Sequence, residues 1–436
     1  MLLDIRKNRK LMLVLKPFIP YLLSGVLFSV LAGVLGLFAI WCVIQLIGDH
    51  RGQWLFLAVI CWSGAALSAV FSAWLSHFSE ARFSTKLRRK IVGHIARLPA
   101  HQFANYKSDK FKRLISDDAT ALHHLIAHLP AEIANLLILP CVTIAFLVFE
   151  TQASALVVLI PGCLAGVCYL VIIPKLTAQQ ANERFDVMAQ ITTAASDYSR
   201  GPLIHRTYLT DSGPLTQFKY ATNYFVQGMF TRIKRVATVV ATATAMLQAV
   251  ATFTIAYSLG NNWPIDELAA LLFFSLAIVT PALKLGHGLD YVRAGKNAAT
   301  RIEVFLNSPI IAFGQDHYTP ALSGTLVVNQ LCQHINSTLI QQKISFSVSN
   351  GTLLAISGKS GIGKSSLLRV LAGFESEYLG TILYQEIDCS TLNEEVWPNL
   401  AMLLPQGLSV LDASVQENLA LTLPNATDAQ YLNALQ

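Results

Sequence analysis

Charged side chains are scarce in this 436-residue chain, in which Asp, Glu, Lys and Arg make up only 13% of the residues. Soluble globular domains carry about 25%. Hydrophobic residues account for 53%, and they concentrate in runs of about twenty, the length that crosses a bilayer as a helix. The composition excludes an ordinary soluble protein and predicts a large membrane domain with a smaller soluble one. The net charge of +6 is assigned to cytoplasmic loops, and we predict no nucleic-acid partner.

The sequence also shows no cysteine motif, and its first residues do not have the pattern expected of a cleaved leader. The seven cysteines form no C-x-x-C pair and no zinc-type spacing, so we interpret them as small buried hydrophobes. The N-terminus is basic but lacks a small-residue cleavage site after a short apolar core. Its first apolar run is therefore interpreted as a membrane anchor.

The apolar runs predict six membrane spans. Their approximate bounds are Tyr21–Ile47, Trp54–Phe78, Ile133–Phe149, Ala153–Ile173, Val236–Leu259 and Leu268–Leu285.

Two of the loops between these spans are long, Ser79–Glu132 and Pro174–Arg235, and both are rich in Lys and Arg. Since basic loops remain on the cytoplasmic side, we expect both loops and both termini to be cytoplasmic. Apolar residues at helical spacing indicate that the long loops extend the spans as helices. At the outer end of the third span, Glu150 is expected to be solvated.

The segment Gly358–Ser365 has the pattern G-x-x-x-x-G-K-S, which is typical of a phosphate-binding P-loop. The apolar run Leu353–Ile356 before it predicts a buried strand, and Ser366–Leu371 after it predicts a helix. Backbone N–H groups of such a loop wrap nucleotide phosphates, Lys364 reaches the β- and γ-phosphates, and Ser365 ligates Mg²⁺. The predicted nucleotide-binding residues of the loop are Gly358, Lys359, Ser360, Gly361, Ile362, Gly363, Lys364, Ser365 and Ser366.

Three histidines, His123, His124 and His128, lie close together in the first long loop. The i, i+4 spacing of His124 and His128 is compatible with a metal site. No carboxylate or cysteine nearby in the sequence completes a ligand set, so the sequence disfavours a metal here.

Six spans, two long cytoplasmic loops and a P-loop together resemble an ATP-binding cassette (ABC) half-transporter of the exporter-fold class. Four further stretches carry the resemblance along almost the whole chain. They are the first-loop segment ending at Asp118, the second-loop segment Asp197–Leu203, the junction containing Ala298–Ile302, and the Q-loop Leu404–Gln406 followed by Val415–Leu419. The residues of the second-loop segment resemble those of a subgroup that includes siderophore-linked transporters.

The resemblance implies an all-α six-helix transmembrane domain followed by a partial α/β P-loop nucleotide-binding domain. The expected division is an N-terminal segment at 1–20, membrane domain at 21–310, linker at 311–323 and nucleotide-binding part at 324–436. It also implies ATP and Mg²⁺ as cofactors, with Ser365 and Gln406 as Mg²⁺ ligands. The region where the family has an adenine-stacking aromatic residue, Leu331–Ile335, contains no Tyr or Phe, and His334 is the candidate substitute. Coupling helices are expected near Pro99–Tyr106 and Tyr198–Tyr208.

The implied partners are a second half-transporter, as homodimer or heterodimer, and a lipid bilayer, in a bacterial inner membrane. No signature motif, acidic Walker B strand or switch histidine follows Gln406 in the 436 residues. By the same resemblance, this chain alone is expected to be hydrolytically inactive, without catalytic residues, and to leave a sheet edge and apolar surface bare.

Two other functions are left open. One is a non-catalytic membrane subunit or truncated remnant that at most binds nucleotide. The other is a membrane-anchored P-loop kinase or GTPase, disfavoured because no N-K-x-D motif is present. The sequence does not identify the transported substrate or the direction of transport.

Overall fold

A computed structural model describes residues 9–106, 108–200, 207, 214–278, 280–317, 323–335, 338–339, 343–404, 410–421 and 426–435. The chain divides into two compact units. Unit 1 comprises residues 1–92 and 109–307, and unit 2 comprises residues 93–108 and 308–436. Part of the first long loop therefore groups with the C-terminal region.

Unit 1 begins with three helices: α1 (Arg9–Leu15), α2 (Ile19–Asp49) and α3 (Gly52–Ala96), with a 3₁₀ turn at Lys16–Phe18. The turn between α2 and α3 uses His50, whose φ of 51° is left-handed. Small side chains let α2 and α3 approach closely: the Ser72 hydroxyl donates to the Gly25 carbonyl at 2.8 Å. A Cβ on Gly25 would lie 2.7 Å from Ser76 Oγ. Such contacts are typical of helices that associate in membranes.

The next long helix, Lys110–Glu150, changes its hydrogen-bonding pattern along its length. It contains α5 (Ser108–Lys112), a π-helical segment at Arg113–Asp118, α6 (Ala119–His123), a second π-helical segment at His124–His128, and α7 (Leu129–Glu150). Helix α7 has Pro130 in its first turn, where the missing N–H removes one backbone hydrogen bond to the preceding helical segment.

The remaining helices of unit 1 are shorter or bent. They are α8 (Ile160–Val167), α9 (Ile173–Arg200), α10 (Pro214–Met246), α11 (Ala249–Gly260), α12 (Ile265–Ala277) and α13 (Thr280–Leu306), with 3₁₀ residues at Ala153–Leu159 and a π-helical segment at Cys168–Ile172.

Among the described residues, three helices are long and apolar enough to cross a membrane: Arg9–Asp49, Gly52–Ala96 and Lys110–Glu150. A fourth would be the pair Val236–Met246 and Val250–Gly260, bent by 41°. The fourth and sixth predicted spans are not continuous α-helices. Pro161 and Pro281 stand near the start of α8 and α13, where each lacks the N–H that would join its helix to the preceding turn. Helical membrane segments are confirmed, but the count of six is not.

Two buried carboxylates secure the end of α13. Asp118 is 2% exposed and accepts three hydrogen bonds from the Arg301 guanidinium, at 2.6, 3.0 and 3.2 Å. Glu303 accepts from the backbone N–H groups of Lys10 and Leu11 at 2.9 and 3.0 Å, which caps the start of α1. The Arg301 pair thus joins two stretches, Asp118 and Ala298–Ile302, in which the resemblance was noted.

Unit 2 is built on an antiparallel sheet of β1 (Leu326–Ile335), β2 (Thr338–Leu339), β3 (Ile344–Val348), β4 (Tyr378–Tyr384) and β5 (Ile387–Asp388). The order β2-β1-β4-β5 forms one path, and β3 pairs with β1. Four short helices accompany the sheet besides α4 (Ala100–Asn105). They are α14 (Lys364–Leu371), α15 (Trp397–Leu400), α16 (Val415–Ala420) and α17 (Asp428–Ala434), with a 3₁₀ turn at Cys389–Thr391.

The core of unit 2 lies between α14 and the sheet. Leu367 and Val370 of α14 join one cluster with Val328 of β1 and Ile382 of β4. Beside it, burial raises the pKa of the Cys389 thiol to about 11, with the Asp388 carboxylate adding to the effect. Burial and Asp388 likewise raise the pKa of Tyr378 to about 12. Both groups are neutral in the folded core at physiological pH.

Candidate functional site

The glycine-rich loop takes the conformation that its sequence requires. Gly361 and Gly363 have φ values of +85° and +100°, in the left-handed region that side chains with a Cβ avoid. Gly363 is the N-cap of α14. The ammonium of Lys364 donates to the carbonyls of Gly358 and Lys359 at 2.8 and 2.9 Å. Lys364 is therefore folded over the loop, where its charge lies beside the backbone that would enclose a phosphate.

Helix α14 positions the next residues of the site. It begins at Lys364, two residues before the predicted start at Ser366, so Ser365 and Ser366 occupy its first turn. Orphan N–H groups at a helix N-terminus attract anions. The buried side chains of Leu367 and Val370 hold the helix on the sheet, which leaves its N-terminus and the loop accessible. The arrangement can bind a polyphosphate.

The predicted buried strand before the loop is wrong. Residues Leu353–Ile356 form no strand, and Leu353 is 99% exposed. Met402 and Leu404 are also exposed, at 78% and 80%. An extended segment becomes a stable strand only with neighbours to pair with, and no described strand flanks Leu353–Ile356.

Two predicted binding residues lie wholly or partly outside the described residues. Gln406 lies outside the described residues, as does the side chain of His334, although the backbone of His334 is in β1. The helix α16, which holds the stretch Val415–Leu419 after the Q-loop, is described. Its Ser414–Glu417 capping box is complete, and the bonds from Ser414 lower the pKa of Glu417.

A short helix, α4, occupies the region predicted for the first coupling helix, Pro99–Tyr106, and belongs to unit 2. Its first residue, Ala100, donates its N–H to the Phe374 carbonyl at 2.9 Å. His101 bonds to the Glu375 carboxylate. The second coupling region, Tyr198–Tyr208, lies mostly outside the described residues.

A histidine cluster that the sequence did not predict lies in unit 1. His77 of α3 meets His123 and His128, and each of the three offers a ligand nitrogen within 4.8 Å of the others. The ring centroids are 5.1 to 5.3 Å apart. The His124 ring also contacts His128, with centroids 5.3 Å apart, but its Nε2 lies 3.5 Å from the Glu132 carboxylate and it is not one of the three grouped ligands. The i, i+4 pair His124 and His128 is therefore not the metal-compatible set.

The sequence around the histidines offers no carboxylate to complete a metal site, but α3 supplies one. Glu80 Oε2 lies 3.1 Å from His123 Nδ1. A carboxylate that accepts from one ring nitrogen orients the imidazole and leaves the other nitrogen for an ion. Three imidazoles are a familiar ligand set for Zn²⁺ with one open position. The cluster can therefore hold a divalent transition-metal ion.

Two cavities adjoin each other in unit 1. One of about 730 Å³ is lined mostly by apolar residues of α2, α3, α7 and α12. Another of about 450 Å³ includes Ser29, Ser72, Glu132 and the imidazoles of His77 and His128. Both cavities are lined by Gly33, Asn135 and Leu139.

Asn135 marks the junction of the two cavities. Its amide nitrogen donates to Ser29 Oγ at 2.9 Å. Its buried Oδ1 has no hydrogen-bond partner among the described residues. A buried acceptor without a partner is costly, so a ligand that donates a hydrogen bond here would be favoured.

Comparison with known proteins places this geometry in context. Residues 341–436 match the family described as "ABC transporter". The mycobactin import ATP-binding/permease protein IrtA of Mycobacterium tuberculosis is 27% identical over 386 residues, which cover 84% of this chain and 43% of that protein. Its counterpart in Mycolicibacterium smegmatis is also 27% identical, over 84% of the chain and 43% of that protein. The multidrug resistance-like ATP-binding protein MdlA of Escherichia coli is 25% identical over 39% of the chain and 30% of its own length. The chain spans less than half the length of each of these relatives.

Proposed function

Because the chain belongs to the ABC transporters, as an exporter-type permease region fused to a nucleotide-binding domain, we propose that it is half of an ATP-driven membrane transporter. The observation that carries the proposal is the P-loop of unit 2, with Lys364 folded over the loop carbonyls, in a chain whose other unit contains apolar helices of membrane-spanning length. The loop would bind the phosphates of ATP, and the apolar helices would form the path of the substrate across the membrane.

The proposed topology has six spans, with the broken helices of unit 1 completing the count, and both termini in the cytoplasm of a bacterial cell. Residues 21–310 would form the membrane domain, and 324–436 the nucleotide-binding part, joined by a linker at 311–323. The excess of Lys and Arg in the two long loops supports this orientation.

At the nucleotide site, the loop N–H groups and Lys364 would hold the ATP phosphates. Ser365 and Gln406 would ligate Mg²⁺, which bridges the β- and γ-phosphate oxygens in P-loop proteins.

Transport would require a second half. Two nucleotide-binding domains that close on ATP and separate after hydrolysis would convert the spans between inward- and outward-facing states. A ligand drives such a change only by binding one state more tightly than the other, and here the bound ATP would favour the closed pair. The partner would be a second copy or a related half-transporter.

The substrate we propose is an amphiphilic siderophore. Two relatives that match 84% of the chain are named for mycobactin import, and the residues of the second-loop segment are closest to siderophore-linked transporters. The adjoining cavities in unit 1 suit such a molecule, because one is apolar and the other carries polar side chains. Asn135 Oδ1 would accept a hydrogen bond from its polar part.

ATP binding tests the proposed function most directly. The purified full chain is titrated with a fluorescent ATP analogue and Mg²⁺, alongside Lys364→Ala and the matched variant Lys343→Ala. Losing the Lys364 ammonium, which would contact phosphate, is expected to weaken binding by at least about tenfold, since charged hydrogen bonds contribute about 1.5–3 kcal/mol. Lys343 is an exposed lysine of unit 2 outside the loop, so its variant is expected to bind as the wild type does. Equal binding by Lys364→Ala would refute the proposed site.

The substrate is tested separately, with an iron-loaded, acylated siderophore as the probe. Asn135→Leu removes the buried acceptor, and Asn261→Leu makes the same change at an exposed position. We expect only the first to weaken siderophore binding, by about tenfold for one lost buried hydrogen bond. Equal affinities in both variants would contradict the assignment of the cavity.

A further inference from the structure

One face of α3 changes from apolar to basic along its length. Exposed residues three, four or seven positions apart define this face, which we call the α3 stripe: Leu67, Phe71, Trp74, Phe78, Arg82 and Arg89. Residues at this spacing lie on one side of an α-helix. The opposite side of α3 packs on α2 through Ser72 and Ser76. The stripe therefore faces the surroundings of unit 1.

Two tryptophans of α3 indicate where the stripe lies relative to a bilayer. Trp54 and Trp74 belong to the same continuous helix and are about 30 Å apart along its axis. This is the thickness of the hydrocarbon core, and tryptophan favours its two interfaces. Leu67 and Phe71 then lie among the acyl chains, and Phe78, one helical turn beyond Trp74, lies at the level of the headgroups.

The Arg82 guanidinium reaches back toward that headgroup level. Its Cζ lies over the Phe78 ring, 5.1 Å from the ring centroid, although Arg82 is one turn further from the membrane than Phe78. Two more rings hold Phe78: Trp74 stacks on it at 5.8 Å, and Tyr21 of α2 meets it edge-on at 6.1 Å. A guanidinium that stacks on an aromatic face stays charged, and the N–H groups at its edge can bind phosphate oxygens.

No carboxylate neutralises the basic end of the stripe. Within the part of the chain that the structure describes, the ion pairs include neither Arg82 nor Arg89. An anionic lipid headgroup supplies the complementary charge at this level of the membrane. A second copy of this chain fits less well. Its long helix α10, which exposes Tyr220 and Phe230, contains four Lys and Arg residues and no Asp or Glu.

We propose that the α3 stripe binds an anionic phospholipid of the adjoining leaflet. Arg82 binds the lipid phosphate, Arg89 adds positive charge two turns further along, and an acyl chain follows Trp74, Phe71 and Leu67. Phe78 and Leu67 are about 16 Å apart along the helix, close to half of the hydrocarbon core of about 30 Å. One acyl chain therefore covers the apolar part of the stripe. The proposed topology makes this leaflet the cytoplasmic one, but the site itself depends on neither ATP nor a siderophore.

The experiment measures which phospholipid contacts Trp74. The full chain is placed in phosphatidylcholine nanodiscs, into which brominated phosphatidylglycerol or brominated phosphatidylcholine is introduced at increasing mole fraction. Bromine quenches nearby tryptophan fluorescence, and the Trp74 signal is obtained by subtracting the signal of the matching Trp74→Phe protein. We expect phosphatidylglycerol to quench Trp74 at a mole fraction at least about fivefold lower than phosphatidylcholine does, and Arg82→Gln to reduce this preference about fivefold, the contribution of one basic residue near an anionic surface.

A matched variant separates this site from general surface charge. Lys90→Gln removes one charge from an exposed position of α3 that lies about 120° around the helix from Phe78. It is expected to keep the wild-type preference for phosphatidylglycerol. Equal quenching by the two lipids in the wild type would overturn the proposal, and so would an equal loss of preference in Arg82→Gln and Lys90→Gln.

The oligomeric state distinguishes a lipid from a second copy on the stripe. Mass photometry of the same nanodiscs gives the dimer fraction of each variant. We expect Arg82→Gln to leave this fraction unchanged. A fall in the dimer fraction of Arg82→Gln with an unchanged lipid preference would make the stripe an interface between copies and overturn the lipid site.

Discussion

The salt bridge between Asp118 and Arg301 is expected to be a major support of unit 1. Asp118 is 2% exposed and receives three bonds from Arg301, the shortest at 2.6 Å. Removing one partner of a buried pair costs about 3–5 kcal/mol. Two features reduce that figure here: the Arg301 side chain is 37% exposed, and Arg113 Nε remains 3.7 Å from the carboxylate. We therefore expect Arg301→Gln to lower the free energy of unfolding by about 2 kcal/mol.

The assay is thermal unfolding of the detergent-solubilised full chain, followed by tryptophan fluorescence. A loss of about 2 kcal/mol corresponds to a fall in Tm of about 4–8 °C for a domain of this size. Arg89→Gln, the same change at an exposed position of α3, is the control. The double variant with Asp118→Asn should be more stable than the sum of the single losses predicts, since it leaves no charge unpaired. Equal Tm values for Arg301→Gln and Arg89→Gln, or strict additivity, would refute the reasoning.

Two further predictions concern the histidine cluster and the core of unit 2. We expect one Zn²⁺ per chain to bind at His77, His123 and His128, and each His→Ala variant to weaken binding in a chelator-competition titration; unchanged affinity in the triple variant would exclude the site. In unit 2, the pKa values of Cys389 and Tyr378 are raised to about 11 and about 12, so the unfolded chain loses these protons at lower pH than the folded one. The stability that the two neutral side chains contribute to the folded state is fully present below about pH 9 and is lost as the pH rises toward 11–12. Cys389→Ala should flatten this alkaline decline in unfolding free energy measured by denaturant titration, and an unchanged profile would contradict the assignment.

Features that depend on neighbouring residues were predictable from the sequence. The P-loop has left-handed backbone at Gly361 and Gly363, and the predicted helix follows it, beginning two residues earlier than expected, at Lys364. The first three spans are helices, as their apolar runs predict, although the third contains Pro140. These are short-range properties, which residue spacing expresses directly.

Features that depend on distant residues were not predictable. Glu150 was expected to be solvated, yet it accepts from Trp41 Nε1 at 2.5 Å and Gln45 Nε2 at 3.0 Å, because α2 and α7 pack together. His77 reaches His123 only through the packing of α3 against the next long helix. A signal was present in hindsight, since His77 and Glu80 share one face of α3, but nothing in the spacing specified the partner.

The failed strand at Leu353–Ile356 has a different cause. Its composition is suitable for a buried strand, but a strand is a property of a pair, and the composition does not state which segment pairs with it. Leu353 is 99% exposed, and no described strand pairs with its segment. Local preference and tertiary pairing can therefore disagree within a few residues of a correctly predicted loop.

The two π-helical segments in the helix Lys110–Glu150 make it adjustable. Each wide turn accommodates one residue more than an α turn would, and an α-helix advances about 100° per residue. Converting Arg113–Asp118 or His124–His128 to α geometry would thus rotate everything beyond it by about that angle, without breaking the rod. Asp118 and His128 are the last residues of these two segments. The ion pair of Asp118 and the ring contacts of His128 therefore hold the helix in one rotational state.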